Sequence, residues 1–331
     1  MPVRGPVWRS GWVDWQATRL TLVARGRACV RSAIPLSDFS RRACCDRAVT
    51  ENSTDPAELR AVAEQLADEA AELVLRRRAE VFGAAGASND DAAGGQAVRT
   101  KSTPTDPVTV VDTETERWLR ERLAVLRPGE HVLGEEEGGK QEGRAGLSWV
   151  LDPIDGTVNF VYGIPAYAVS IAVQLDGRSI AGAVAHVSAG AVYSAALGGG
   201  AHVRQNGVTT PLRCSAVDDL AMTLVGTGFS YSHEARRRQA QVLAQILPTV
   251  RDMRRLGSCA LDLCMVAAGQ LDAYYEDGVH VWDWAAAALI AAEAGATVWL
   301  PAGGGGGKVI AAAPGVATAL RDALAGAGMD L

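Results

Sequence analysis

From residue 55 onward the chain switches between two hydrophobic periods. Leu59, Val62, Leu66, Leu73 and Val74 recur at spacings that line one face of a helix. Before them, Asp55-Pro56-Ala57-Glu58 supplies an N-cap, a proline at the first helical position and a glutamate at capping-box spacing. Gly83 closes the run. Residues 83–95 are rich in Gly, Ala, Ser and Asn and read as a flexible loop. A second helix is predicted from Thr113, with Glu116 at capping-box spacing, to the Pro128-Gly129 turn. Before it, Asp106 and Asp112 flank a short extended run at 108–111.

Strand and helix signals then alternate. Short apolar strands are predicted at 131–134 and 148–151, and a meander at 166–175, 180–186 and 191–196. Asn206-Gly207 is a hairpin turn signal. Helices follow at 233–247, 258–268 and 282–294, with a strand at 271–275 between the last two. Short strands at 296–300 and 309–312 flank a five-glycine loop, Gly303 to Gly307, before a last helix. No internal repeat occurs. The pattern predicts a layered mixed α/β fold rather than a bundle or a β-sandwich.

Composition narrows the function classes. The chain has 331 residues, 48% of them hydrophobic and 21% charged, enough for a large core. The net charge of −6 argues against a general nucleic-acid binder. No run of 18 apolar residues offers a membrane span, so no membrane partner is expected. Residues 1–54 stand apart: nine Arg against four acids give +5, leaving −11 for the rest. Trp8, Trp12 and Trp15 fall there without any period, and the segment reads as a disordered or non-native extension. It lacks the continuous apolar stretch of a secretory signal. The cysteines, Cys29, Cys44, Cys45, Cys214, Cys259 and Cys264, form no C-x-x-C pair and no zinc spacing, which suits free thiols in a reducing, cytoplasmic setting.

The chemistry lies in carboxylates that interrupt apolar sequence where strands end. Glu135-Glu136-Glu137 follows one strand, Asp152 and Asp155 follow another, and Asp283 opens a helix. In Asp152-Pro153-Ile154-Asp155-Gly156-Thr157, the proline fixes the backbone and the glycine permits a tight bend. Two carboxylates, the Ile154 carbonyl and waters make a hard oxygen site suited to Mg²⁺. Thr157 adds a hydroxyl at the next helix start. Taken alone, this turn is equally compatible with solvated, capping acids or a Ca²⁺ loop, although the EF-hand spacing is missing. Crowded acids repel unless a cation neutralises them. Neither a G-x-x-x-x-G-K-[ST] loop nor a G-x-S-x-G elbow occurs, which favours phosphoester hydrolysis by metal-activated water. His280, Trp282 and Trp284 near Asp283 read as packing, and Arg236 to Arg238 as a solvated helix face.

Four blocks in order resemble the inositol monophosphatase family of lithium-sensitive, magnesium-dependent phosphatases. They are KSTPTDPVTVVD from Lys101 to Asp112, GEE from Gly134 to Glu136, WVLDPIDGTVNF from Trp149 to Phe160, and the stretch from Gly257 to Gly295 containing AYYE (Ala273 to Glu276) and Trp282-Asp283. The likeness covers about residues 55–325. It implies an α/β/α/β/α sandwich of the inositol monophosphatase and fructose-1,6-bisphosphatase type, with one module at 55–331. Its 55–210 half would carry the main metal motifs and its 211–331 half Glu276 and Asp283.

The resemblance also implies roles. Glu135, Asp152 and the Ile154 carbonyl would hold a first Mg²⁺. Asp152, Asp155 and Asp283 would hold a second, and Glu135 would touch a weaker third. Thr157 with Asp112 would orient the attacking water, and the Gly156 and Thr157 amides would receive the phosphate. Glu276 would accept hydroxyls of the substrate ring. Cys259 stands where relatives often carry a small residue near that ring. Lys101 and Asp106 would shape the site without ligating. The implied activity is hydrolysis of myo-inositol monophosphate by a homodimer. Fructose-1,6-bisphosphate, histidinol phosphate and 3′-phosphoadenosine phosphate are alternative substrates, and a transcription-associated binding protein is the reading from another class.

Overall fold

The computed structural model describes residues 53–83, 98–101, 107–139, 146–301 and 306–331. The expectations for residues 1–52, Asp106 and most of the two glycine-rich loops lie outside them. Helix α1 (Pro56–Phe82) begins as its sequence dictates. Asp55 caps it by accepting the Ala57 amide, Pro56 occupies the first turn, and Gly83 ends it at φ 74°. Leu59, Val62, Leu66 and Val74 form its buried stripe.

Strands β1 (Val98–Thr100) and β2 (Pro107–Thr109) pair antiparallel. Helix α2 (Val110–Leu126) follows. It starts earlier than predicted, because Thr109 rather than Thr113 is its cap, boxed with Asp112. The expected extended run therefore stops at Thr109.

The central sheet takes seven strands: β3 (His131–Gly134), β4 (Leu147–Asp155), β5 (Ala168–Leu175), β6 (Arg178–His186), β7 (Ala191–Ala196), β8 (Ala201–Gln205) and β9 (Val208–Pro211). They neighbour in chain order, with β3 and β4 parallel and the rest antiparallel. Asn206-Gly207 forms the predicted hairpin turn between β8 and β9. The six-residue α3 (Thr157–Tyr162) leaves the end of β4.

The second sheet has five strands in the order β11 (Asp252–Arg254), β10 (Leu224–Thr227), β12 (Ala273–Val279), β14 (Gly307–Ala312) and β13 (Thr297–Trp299). The connecting helices are α4 (His233–Ile246), α5 (Cys259–Ala267), α6 (Val281–Glu293) and α7 (Ala317–Gly326).

Side-chain alternation along the strands sets the layers. In β5, Val169, Ile171 and Val173 pack with the α1 and α2 stripes, whereas Ala168 and Ala172 pack with α5 and α6. In β12, Tyr274 faces α5 and α6, while Ala273 and Tyr275 share the third cluster with residues of α4 and α7. The result is helices, sheet, helices, sheet, helices. The alanine-rich α6, buried on nearly all sides, is the middle layer that small side chains permit. Among the described residues no helix is long and apolar enough to cross a membrane.

Candidate active site

Asp152 and Asp155 are three apart on one strand, and a regular strand would send them to opposite faces. A bulge prevents this. Asp152 pairs with Ser170 and Asp155 with Ala168, so β4 carries one extra residue between them. Strand β4 thus continues through Pro153 instead of stopping at Leu151, as sequence reading had it. The bulge tolerates the proline and aims both carboxylates at one place.

Asp283 arrives from the first turn of α6. Carboxylate oxygens of Asp152, Asp155 and Asp283 lie within 4.8 Å of one another. Each residue anchors one oxygen in the protein. Ile154 N donates to Asp152 Oδ1 at 3.0 Å, Ala260 N to Asp155 Oδ2 at 2.7 Å, and His280 N to Asp283 Oδ2 at 2.6 Å. Among the described residues the other oxygen of each takes no hydrogen bond, so each aspartate keeps one oxygen without a protein donor.

The electrostatics match this geometry. Burial, the Glu135 charge and the other aspartates hold the carboxyls of Asp152 and Asp283 well above the ordinary range. Burial raises Asp155 to about 7, against the Ser258 and Ala260 hydrogen bonds that pull it down. Glu135 stands beside the triad and pairs with Lys101, whose Nζ lies 2.7 Å from Glu135 Oε1 and 2.6 Å from Glu136 Oε1. Burial lifts Glu136 to about 7 despite that lysine.

Thr157 and Asp112 meet as the sequence suggested. Thr157 Oγ1 lies 3.1 Å from Asp112 Oδ1 and 3.0 Å from the Ile154 carbonyl oxygen. The Thr109 amide and hydroxyl both donate to the other Asp112 oxygen. Burial still lifts Asp112 to about 6. Gly156 takes φ +92°, and an added Cβ would lie 3.0 Å from the Ala166 carbonyl, so a side chain there is excluded twice over.

Glu276 lies within β12, opposite Val309, and the strand runs on to Val279 instead of ending beside it as expected. The Tyr274 hydroxyl donates to its Oε2. Burial raises Glu276, and its charge in turn raises Asp155, Asp283 and Cys259, so all four share one region. Cys259 is a buried free thiol in the first turn of α5. His280 stacks on Trp282 at 4.9 Å between ring centroids, in keeping with a packing role.

Three contributors escaped sequence reading. Ser258 caps α5 and donates to Asp155 Oδ2 at 2.5 Å. Its cap pattern was legible, but its partner lies 103 residues away. Asp262 is buried with Oδ1 unpartnered among the described residues, and burial raises it to about 9. Glu116 is fully buried rather than a surface cap.

The chain is similar to known proteins. Residues 55–328 match the model of the inositol monophosphatase family. The inositol-1-monophosphatase of Mycobacterium leprae is 66% identical over 284 residues, covering 83% of this chain and 96% of that protein. The solved structure of Mycobacterium tuberculosis SuhB superposes with a TM-score of 0.71 at 56% identity, over 84% of this chain and all of the other. Inositol monophosphate-bound SaIMPase-II gives 0.63 at 26% identity, over 81% of this chain and 94% of the other. On the bulge-aimed carboxylates, the layered fold and these likenesses together, the chain belongs to the inositol monophosphatase family.

Proposed function

We propose that this phosphatase hydrolyses a myo-inositol monophosphate to inositol and phosphate, and that Mg²⁺ is its cofactor. The observation that carries the metal assignment is the Asp152, Asp155 and Asp283 carboxylates gathered within 4.8 Å, each with one oxygen free of protein donors. An all-carboxylate donor set suits a hard cation, and repulsion among buried acids is relieved by one. Asp152, Asp155 and Asp283 would hold one ion, and Asp152, Glu135 and the Ile154 carbonyl another, with a weaker third at Glu135. When bound, Mg²⁺ supplies Lewis-acid polarisation of the phosphate and lowers the pKa of water.

The chain's own groups do the rest. The Thr157 hydroxyl has one proton and two acceptors, Asp112 and the Ile154 carbonyl. Donating to Asp112 leaves its lone pairs to accept from the attacking water and so orient it. Asp112, raised to about 6, is ionised near neutrality and can draw the proton through Thr157. The Gly156 and Thr157 amides receive the phosphate at the start of α3. Glu276, held by Tyr274, accepts ring hydroxyls, with Cys259 nearby.

The substrate assignment rests on the inositol monophosphate named for SaIMPase-II and on the M. leprae relative. We further propose a cytoplasmic homodimer inhibited by Li⁺, and one module over 55–331 whose 55–210 and 211–331 halves both supply the site. Phosphate release from inositol monophosphate, fructose-1,6-bisphosphate, histidinol phosphate and 3′-phosphoadenosine phosphate at fixed Mg²⁺ tests the reading. It expects inositol monophosphate to be preferred. A preference for any of the others overturns the substrate assignment. A cellular role that survives Asp152→Asn would favour the transcription-associated reading.

A further inference from the structure

The turn that carries Glu135 is gripped from within. Glu116, on α2, has no exposed surface. Its Oε2 accepts the Glu136 amide at 2.7 Å and its Oε1 the Glu137 amide at 3.0 Å. Arg120, one turn along α2, donates Nε to the same Oε1 at 2.9 Å. The guanidinium then reaches the far end of the turn. Its Nη2 donates to the Gly138 carbonyl at 2.7 Å and its Nη1 to that of Val132 at 3.4 Å. Gly134 N donates to Gly138 O at 3.1 Å and closes the loop across residues 135–137. At Gly134 an added Cβ would stand 2.1 Å from Glu116 Oε1, so the backbone approaches the carboxylate too closely for a side chain.

A fully buried carboxylate is costly, and a short turn does not need one for its own sake. What the grip fixes is the backbone on both sides of Glu135. That residue pairs with Lys101, and its amide donates to the Leu151 carbonyl at 3.2 Å, one residue before Asp152, so the hold on the turn's backbone sets where its carboxylate stands. We propose that Glu116, with Arg120, is a positioning residue for Mg²⁺: it locks the Glu135-Glu136-Glu137 turn so that Glu135 stays in ligating position beside Asp152, Asp155 and Asp283. This rests on the assignment of Glu135 as a metal ligand.

The test is Mg²⁺ binding by calorimetry on the full-length chain, without substrate. Four variants are compared with wild type: Glu116→Gln, Gly134→Ala, Arg122→Ala and Asp152→Asn. Glu116→Gln removes the charge at constant size, and Gly134→Ala displaces the carboxylate while keeping its charge. Both should weaken Mg²⁺ binding by about tenfold or more, the usual cost of losing an outer-shell partner. Arg122→Ala, elsewhere on α2, breaks a pair with Glu69 of α1 and should bind as wild type. If Glu116→Gln does not fold, Gly134→Ala decides alone. Wild-type affinity in folded Gly134→Ala or Glu116→Gln overturns the inference. So does a lower metal-free melting temperature with unchanged Mg²⁺ affinity, the mark of a purely structural residue. If Asp152→Asn loses binding while these variants keep it, the metal site stands and only the clamp fails. A wild-type chain that takes up no Mg²⁺ sinks both.

Discussion

Asp152 has one oxygen on the Ile154 amide, and its carboxylate lies within 4.8 Å of those of Asp155 and Asp283. Asp152→Asn keeps that acceptor and removes a buried charge that its neighbours oppose. Nearly all turnover should be lost, excess Mg²⁺ should not restore it, and the metal-free melting temperature should hold or rise. Undiminished phosphate release would remove Asp152 from the metal site. Glu276 serves recognition instead, through charge-assisted hydrogen bonds worth roughly 1.5–3 kcal/mol. Glu276→Ala should therefore cut inositol monophosphate turnover about 10- to 100-fold, at about 1.4 kcal/mol per decade, and spare p-nitrophenyl phosphate. Equal losses on both substrates would place Glu276 in the metal site or the fold. The aspartates were legible in the sequence because charge interrupting an apolar strand end or helix start has few structural excuses. Ser258, Glu116 and Asp262 were not. Each resembles an ordinary cap or first-turn acid until partners remote in sequence, or deep burial, reveal it.

At the scale of elements, the misread boundaries have physical causes. Two consecutive patterns, Thr109 to Asp112 and Thr113 to Glu116, both have capping-box spacing. Tertiary structure chooses the first, since Asp112 must meet Thr157 and Glu116 must enter the core. Strand β4 outruns its apolar stretch because β5 continues to pair with it beyond the bulge. The α1 cap, the hairpin turn and the meander were readable because local chemistry alone specifies them. Ser258 joins two elements, capping α5 through Leu261 N and fastening the β4 carboxylate of Asp155. Ser258→Ala should lower stability by about 0.5–2 kcal/mol in chemical denaturation. A variant as stable as wild type would show that the cap contributes nothing.

For the molecule as a whole, buried acids couple stability to both pH and metal. Asp112, Asp155 and Asp262 are raised to about 6, 7 and 9, against an ordinary value of 3.8. Between those limits the folded chain binds more protons than the unfolded chain, so stability falls as pH rises. With Mg²⁺ chelated, the melting temperature should drop from pH 5 to pH 9. Mg²⁺ should restore most of the loss due to the cluster, since it replaces the missing protons. Asp262→Asn should flatten the part of the slope that Mg²⁺ leaves. A metal-free melting temperature that climbs with pH would contradict the buried-acid account. The five layers themselves were legible only as mixed α/β from the hydrophobic pattern, and as a sandwich only through the family likeness. Periodicity shows which face of a strand is apolar, not which helix will cover it. If the clustered carboxylates make the site a Mg²⁺ centre for inositol monophosphate hydrolysis, phosphate release from that substrate, followed through a Mg²⁺ titration that begins in excess chelator, should be absent without Mg²⁺ and rise saturably with it. Release undiminished by the chelator would show that the site works without the metal.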